Sequence, residues 1–137
     1  MAEPFTALLH HVTPALLEAS YYALKRNAAP GVDGITWEAY VRDLEANLQD
    51  LHDRLHGGRY RAMPARRDYI DKADGAKRPL SILCLEDMIA QQALVQVLNA
   101  IYEVEFLGFS YGFRPGRSHE HALDALFRCI VRRIVIW

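Results

Sequence analysis

Asp74-Gly75, set between two β-prone runs, is the feature that most limits how this chain folds. An Asp-Gly pair supports a tight turn, so Lys72-Ala-Asp-Gly-Ala-Lys-Arg-Pro-Leu80 predicts a β-hairpin. Lys72 stands on one arm, Lys77 and Arg78 on the other, and Pro79 stiffens the exit. Residues 60–70 and 77–82 suit strands, with residues 65–71 expected to pair across the turn. Pro64 and Pro79 mark strand ends or an edge, where a missing amide hydrogen is tolerated.

Helical periodicity surrounds this hairpin. Thr13 followed by Pro14 reads as a cap and first-turn proline for a helix that ends near Asn27. From a Thr36 cap, Trp37, Tyr40, Val41, Leu44, Leu48, Leu51 and Leu55 recur at three- and four-residue steps until Gly57-Gly58, which predicts one continuous helix of five or six turns. Residues 86–103 form the strongest helical pattern, with Met88, Ile89, Ala93, Leu94, Val97, Leu98 and Ile101 expected to line one side, central to the core. A last helix over residues 119–129 starts from Ser118 and is expected to bury Leu123, Leu126 and Phe127. Residues 131–137 are β-prone and predict a strand.

The chain has 137 residues, 51% of them apolar, enough for a modest core, and no apolar run long enough to span a membrane. No basic and apolar leader opens the sequence, and Cys84 and Cys129 lack the Cys-x-x-Cys spacing; both features predict a cytoplasmic protein with reduced thiols. The formal net charge of −1 conceals a division: residues 1–53 are net −5 and residues 54–137 net +4. Arg54, Arg59, Arg61, Arg66, Arg67, Lys72, Lys77 and Arg78 face only Asp68, Asp71 and Asp74 in that stretch. Such a cluster is either a solvated face with ordinary charge pairs or a surface that neutralises several phosphates.

A second run, Ser110-Tyr-Gly-Phe-Arg-Pro-Gly-Arg-Ser118, reads as a loop entering a helix and again sets guanidinium groups on backbone fixed by glycine and proline. With the hairpin run, the apolar segment between them and the upstream Ala29-Pro-Gly-Val-Asp-Gly-Ile-Thr36, it resembles the fingers region of group II intron-type (retron-type) reverse transcriptases, the maturase family, over roughly residues 14–137. The resemblance implies an α+β fold, helices packed around a short antiparallel hairpin, with an incomplete palm. It divides the chain into an N-terminal extension (1–13), a fingers-like domain (14–130) and a truncated first palm strand (131–137). In the family that strand runs into a catalytic aspartate, and no Asp-Asp pair occurs in this sequence. Two-metal phosphoryl transfer needs carboxylates to hold both ions, so the chain is expected to carry no catalytic residue and to be inactive alone.

What the family implies for substrate contact falls on two groups of residues. Lys72 and Arg78, with Lys77 as helper, map to cations that hold the triphosphate of an incoming nucleotide. A lysine point charge and an arginine fork on facing strands can grip a polyphosphate from two sides. Asp71, where the family commonly has proline, is expected to neutralise part of the Lys72 charge. Arg59, Arg61, Arg66, Arg67, Tyr111, Phe113, Arg114 and Arg117 are expected to meet the template by phosphate contact and stacking. The structural alternative for the loop anchors Phe113 in the core and pairs Arg114 with Glu86 or Asp87.

His52 and His56 lie one helical turn apart without a third ligand or the glutamate of the zinc protease motif, so no metal site is expected. Magnesium is expected only with a complementing palm. The partners expected are RNA or an RNA/DNA template-primer, a palm and thumb polypeptide, or a second copy of the chain. The alternative functions are an interaction or homodimerisation module and a vestigial product without activity of its own.

Overall fold

Thr13 and Thr36 each open a helix by the same device. Thr13 Oγ1 accepts from Leu16 N at 3.2 Å and Thr36 Oγ1 from Ala39 N at 3.2 Å, which satisfies amides that a first helical turn leaves unpaired. In the computed structural model, which describes residues 8–134, a 3₁₀ turn (Leu9–His11) leads to α1 (Pro14–Ala23), α2 (Trp37–Tyr40), a second 3₁₀ turn (Val41–Asp43) and α3 (Leu44–His56). The antiparallel pair β1 (Arg66–Asp71) and β2 (Lys77–Ile82), α4 (Leu85–Tyr102) and α5 (His119–Ile134) complete an α+β chain. It divides into two compact units, Met1–Val97 and Leu98–Trp137. Among the described residues no helix is long and apolar enough to cross a membrane.

In the first unit, Leu17, Tyr21, Leu51 and Ile89 are wholly enclosed. Tyr21 stacks on Trp37 with ring centroids 4.6 Å apart, and the two residues exchange hydrogen bonds: Tyr21 Oη donates to Trp37 O at 2.8 Å and Trp37 Nε1 to Tyr21 O at 3.3 Å. This reciprocal pair ties the end of α1 to the start of α2. The loop between them follows its sequence closely: Asp33 Oδ1 accepts from Ile35 N, and Gly34 takes φ +71°, which a β-carbon would strain. Gly31 has a different reason to be glycine, because a β-carbon there would lie 2.6 Å from Cys84 Cα and 2.7 Å from Cys84 N.

Three expectations change. The single helix from Trp37 to Leu55 is broken at Val41–Asp43, where Asp43 leaves the helical region (φ −126°, ψ 41°). Asn47 Nδ2 donates to Tyr40 O at 3.1 Å and so adds a side-chain hydrogen bond across the break. Leu94 is 39% exposed, whereas Leu85, Asp87, Ile89, Ala93 and Val97 form the buried side of α4. In the second unit, the α5 stripe expected to be buried is open: Leu123, Leu126 and Phe127 are 62%, 57% and 65% exposed.

The strand expected over residues 131–137 is also revised. Residues 131–134 form the last turn of α5, and residues 135–137 lie outside the described residues. A strand needs a neighbour to take its amides, whereas extending a helix already nucleated at Ser118 satisfies one backbone pair per added residue.

Candidate nucleic-acid interface

The hairpin carries its cations on two faces. Its register pairs Ile70 with Arg78 and Asp71 with Lys77, and Lys72 N donates to Ala76 O at 2.8 Å to continue the ladder. Side chains alternate along a strand, and residues directly opposite share a face. Lys72 and Arg78 therefore lie on one face, together with Arg66, while Lys77 and Arg67 lie on the other. Asp71 sits opposite Lys77 and not on the Lys72 face, which removes the expected neutralisation of Lys72. The turn is held by Asp74 Oδ1 accepting from Ala76 N at 3.1 Å, and Gly75 supplies φ +81°. Every residue from Arg61 to Ser81 is exposed, and among the described residues no ion pair engages Lys72, Lys77, Arg78, Arg66 or Arg67.

Of two acidic residues at the start of α4, Asp87 fastens the segment that leads into this hairpin and Glu86 ties α4 to α2 and α3. Asp87, only 4% exposed, accepts from Tyr60 Oη and, at 3.2 Å, from Met63 N. Glu86 accepts from Arg54 Nη2 at 2.8 Å and from Tyr40 Oη at 3.2 Å, and Arg54 Nε reaches Asp50 at 2.6 Å. Burial, then the hydrogen bond to Asp87, raises the Tyr60 phenol above its ordinary value; burial and the Glu86 charge do the same for Tyr40. Both phenols stay protonated and keep donating at neutral pH. The two carboxylates also sit at the positive end of the α4 dipole. Sequence reasoning missed these anchors, although the acidic pair opening the strongest helix was a visible signal.

In the second unit, Arg114 is consumed by its own loop. Nε and Nη2 bind the Glu103 carboxylate, at 3.2 Å and 2.7 Å for the Oε1 contacts, while Nη1 donates to Leu107 O at 3.1 Å and Ser110 O at 3.0 Å. Nη2 also points at Glu103 O, and the Phe106 ring lies 5.0 Å from the guanidinium carbon. With its side chain 7% exposed, Arg114 has no donor left for a phosphate, and its partner is Glu103 in place of the expected Glu86 or Asp87. The hydrogen bond from Arg114 holds the Glu103 carboxyl below the usual carboxylate range, against an opposing effect of burial. Phe113 does not anchor the loop in a core. It stands fully in solvent at φ +56°, a conformation uncommon for a bulky residue.

Tyr111 and Arg117 remain available. The Arg117 guanidinium lies 5.3 Å from the Tyr111 ring centroid, and the two residues border an open cavity of about 400 Å³ at the start of α5. Arg59 and Arg61 occupy the exposed segment after α3, where Arg61 Nη1 donates to Tyr60 O at 3.0 Å. The His52 and His56 rings lie 4.0 Å apart, tilted by 30°, and among the described residues no group of three or more His, Cys, Asp or Glu side chains is placed to hold a metal ion.

No family model matches the chain. It is 44% identical over 110 residues to the protein YkfC of Escherichia coli (strain K12), covering 79% of this chain and 29% of that protein. It is 34% identical over 128 residues to the group II intron-encoded protein LtrA of Lactococcus lactis subsp. cremoris, covering 92% of this chain and 21% of the relative. An uncharacterized 91 kDa protein in the cob intron of Schizosaccharomyces pombe is 48% identical over 80 residues, 58% of this chain and 10% of that protein. These similarities define the chain as a region of the group II intron reverse transcriptase and maturase type. The matched part spans less than a third of each of these relatives.

Proposed function

We propose that this chain is a fingers module that grips the phosphates of an RNA template-primer or an incoming nucleotide, and that it positions substrate without itself carrying the polymerase chemistry. The observation that supports this reading most is the shared hairpin face of Lys72 and Arg78, exposed and without an ion pair among the described residues. Two unlike cations on adjacent ladder positions suit a flexible polyphosphate: the ammonium acts as a point charge and the guanidinium as a fork. Lys77, on the opposite face, is assigned a lesser part. Arg59, Arg61, Arg66 and Arg67 extend the positive field along the same exposed segment, and Tyr111 with Arg117 offers a stacking and charge contact in the second unit. Arg114 is assigned to shaping its loop. Magnesium, where the family's reaction requires it, belongs with carboxylates outside the described residues.

Fluorescence anisotropy of a labelled RNA hairpin and an RNA/DNA template-primer tests this directly. Lys72→Ala with Arg78→Ala is expected to weaken binding by at least about tenfold, roughly 1.4 kcal/mol, while Lys77→Ala alone weakens it less. Equal affinity for the double variant and the unaltered chain would remove the hairpin from the site.

A further inference from the structure

The basic hairpin stands on two legs, and both land at the start of α4. The leg that leaves β2 is held by burial: Cys84 and Leu85 are enclosed, and Met88 N donates to Cys84 O at 3.1 Å. The leg that enters β1 has no core of its own. Residues 61–65 are all exposed and form no part of the strand expected to begin at residue 60. The last point fixed on α3 is Tyr60, whose N donates to Arg54 O at 3.0 Å. Past it, the bond from Met63 N to Asp87 Oδ2 is, among the described residues, the one hydrogen bond that the amides of residues 61–65 make to another element. Asp87 Oδ1 accepts from Tyr60 Oη. One enclosed carboxylate thus joins the end of α3, the entry leg and α4, with both of its oxygens engaged.

Pro64 follows Met63 directly. Its ring fixes one backbone angle and restricts the residue before it to extended conformations, so an orientation set at Met63 N passes to β1 with little slack. Distance then magnifies it. At about 3.3 Å per residue, the six residues of β1 place Lys72 roughly 20 Å beyond Arg66. A tilt of about 10° at the base carries Lys72 ~3 Å, the full length of a hydrogen bond.

We propose that Asp87 is a positioning residue for the hairpin: by holding Tyr60 and Met63 it fixes the angle at which β1 and β2 leave the helices, and so where Lys72 and Arg78 meet phosphate. The inference rests on the proposed reading of those two cations. Asp87 is buried and acts through the backbone that it holds, without touching nucleic acid.

Pulsed electron paramagnetic resonance and anisotropy titration together provide the test. Spin labels at Ala46→Cys on α3 and Ala73→Cys in the turn report the hairpin angle as a distance distribution, in a Cys129→Ser chain whose enclosed Cys84 escapes brief labelling. Tyr60→Phe removes one of the two bonds and Asp87→Ala removes both, so the distribution is expected to widen in that order. Tyr60→Phe is also expected to weaken binding of the labelled template-primer at least about threefold, and to have no such effect in a chain that already carries Lys72→Ala and Arg78→Ala. Distributions as narrow as that of the unaltered chain would overturn the proposal, as would a widened distribution with affinity unchanged. The same loss in both backgrounds, when the double variant itself binds weakly, overturns it too, because Tyr60 then supports the fold at large. A double variant that binds as well as the unaltered chain would instead sink the proposed function, and the distances alone would decide the part of Asp87. Should Asp87→Ala lose helix content by circular dichroism, Tyr60→Phe decides.

Discussion

Arg114 shows how one side chain can organise a loop that it never leaves. Its fork closes over Glu103 and two backbone carbonyls, and it sits beside a Phe113 held in an uncommon backbone conformation. Because Arg114 holds the folded Glu103 carboxyl below its ordinary value, the pair stabilises the unit above the range where an unfolded glutamate titrates. That stabilisation falls away as the pH drops through the lowered folded value. Nuclear magnetic resonance of the Arg114 Nε–H signal is expected to show exchange slower than the intrinsic rate near neutrality, with that protection factor falling in acid, and Glu103→Gln to give little protection at either pH. Arg114→Lys cannot reproduce the fork and is expected to raise protease cleavage across residues 103–114.

Local chemistry was readable at this scale, and distant partners were not. Thr13, Thr36, Ser118 and the Asp74-Gly75 turn act on backbone within three residues, so their roles follow from sequence alone. Asp87 reaches Tyr60 and Met63 across more than twenty residues of chain, and Arg114 meets Glu103 eleven residues away. Nothing in residue type distinguishes Glu86, Asp87 and Glu103 as partners for Arg114; the path of the backbone decides.

At the scale of elements, α4 illustrates both the reach and the limit of periodicity. Its span and its apolar content were legible, but a helix that is apolar on most of its circumference gives little indication of which side faces the core. Ile89, wholly buried, and Leu94, 39% exposed, separate the two sides. Ile89→Ala is expected to cost about 2 to 5 kcal/mol and Leu94→Ala clearly less, because little surface is taken from water at Leu94. Chemical denaturation of the two variants checks the ranking, and equal losses would place Leu94 in the core. α5 departs from its expectation for a different reason: its clear amphipathic pattern marks the apolar stripe, but sequence periodicity does not say whether another element covers it, and Leu123, Leu126 and Phe127 are exposed. The break between α2 and α3 was hidden for another reason: the three- and four-residue spacing runs straight through it, while Asn47 adds a side-chain hydrogen bond across it.

For the molecule as a whole, a net charge of −1 means that nucleic acid is not drawn in by overall charge. Attraction has to come from the exposed basic stretch, over distances no longer than the screening length. Binding is therefore expected to weaken steeply with salt, with log K falling by about 0.7 per phosphate contacted on a single strand. Removing Lys72 and Arg78 together is expected to flatten that slope by ~1.4, two contacts' worth. Titration at three salt concentrations measures both slopes, and parallel lines would assign the salt dependence to other cations. The α+β class and the hairpin were legible because strong local signals mark the elements; the division into two compact units was not, because it depends on how the chain closes on itself.

The close approach of Gly31 to Cys84 has a consequence for the chemistry of the two thiols. Cys84 is 1% exposed, with its sulfur 2.8 Å from where a β-carbon on residue 31 would stand, whereas Cys129 is exposed. A thiol reagent meets Cys129 at once and meets Cys84 only when the 28–34 loop lifts from the start of α4. The slow modification of Cys84 is thus a clock for that opening, started and calibrated by a second sulfur in the same chain.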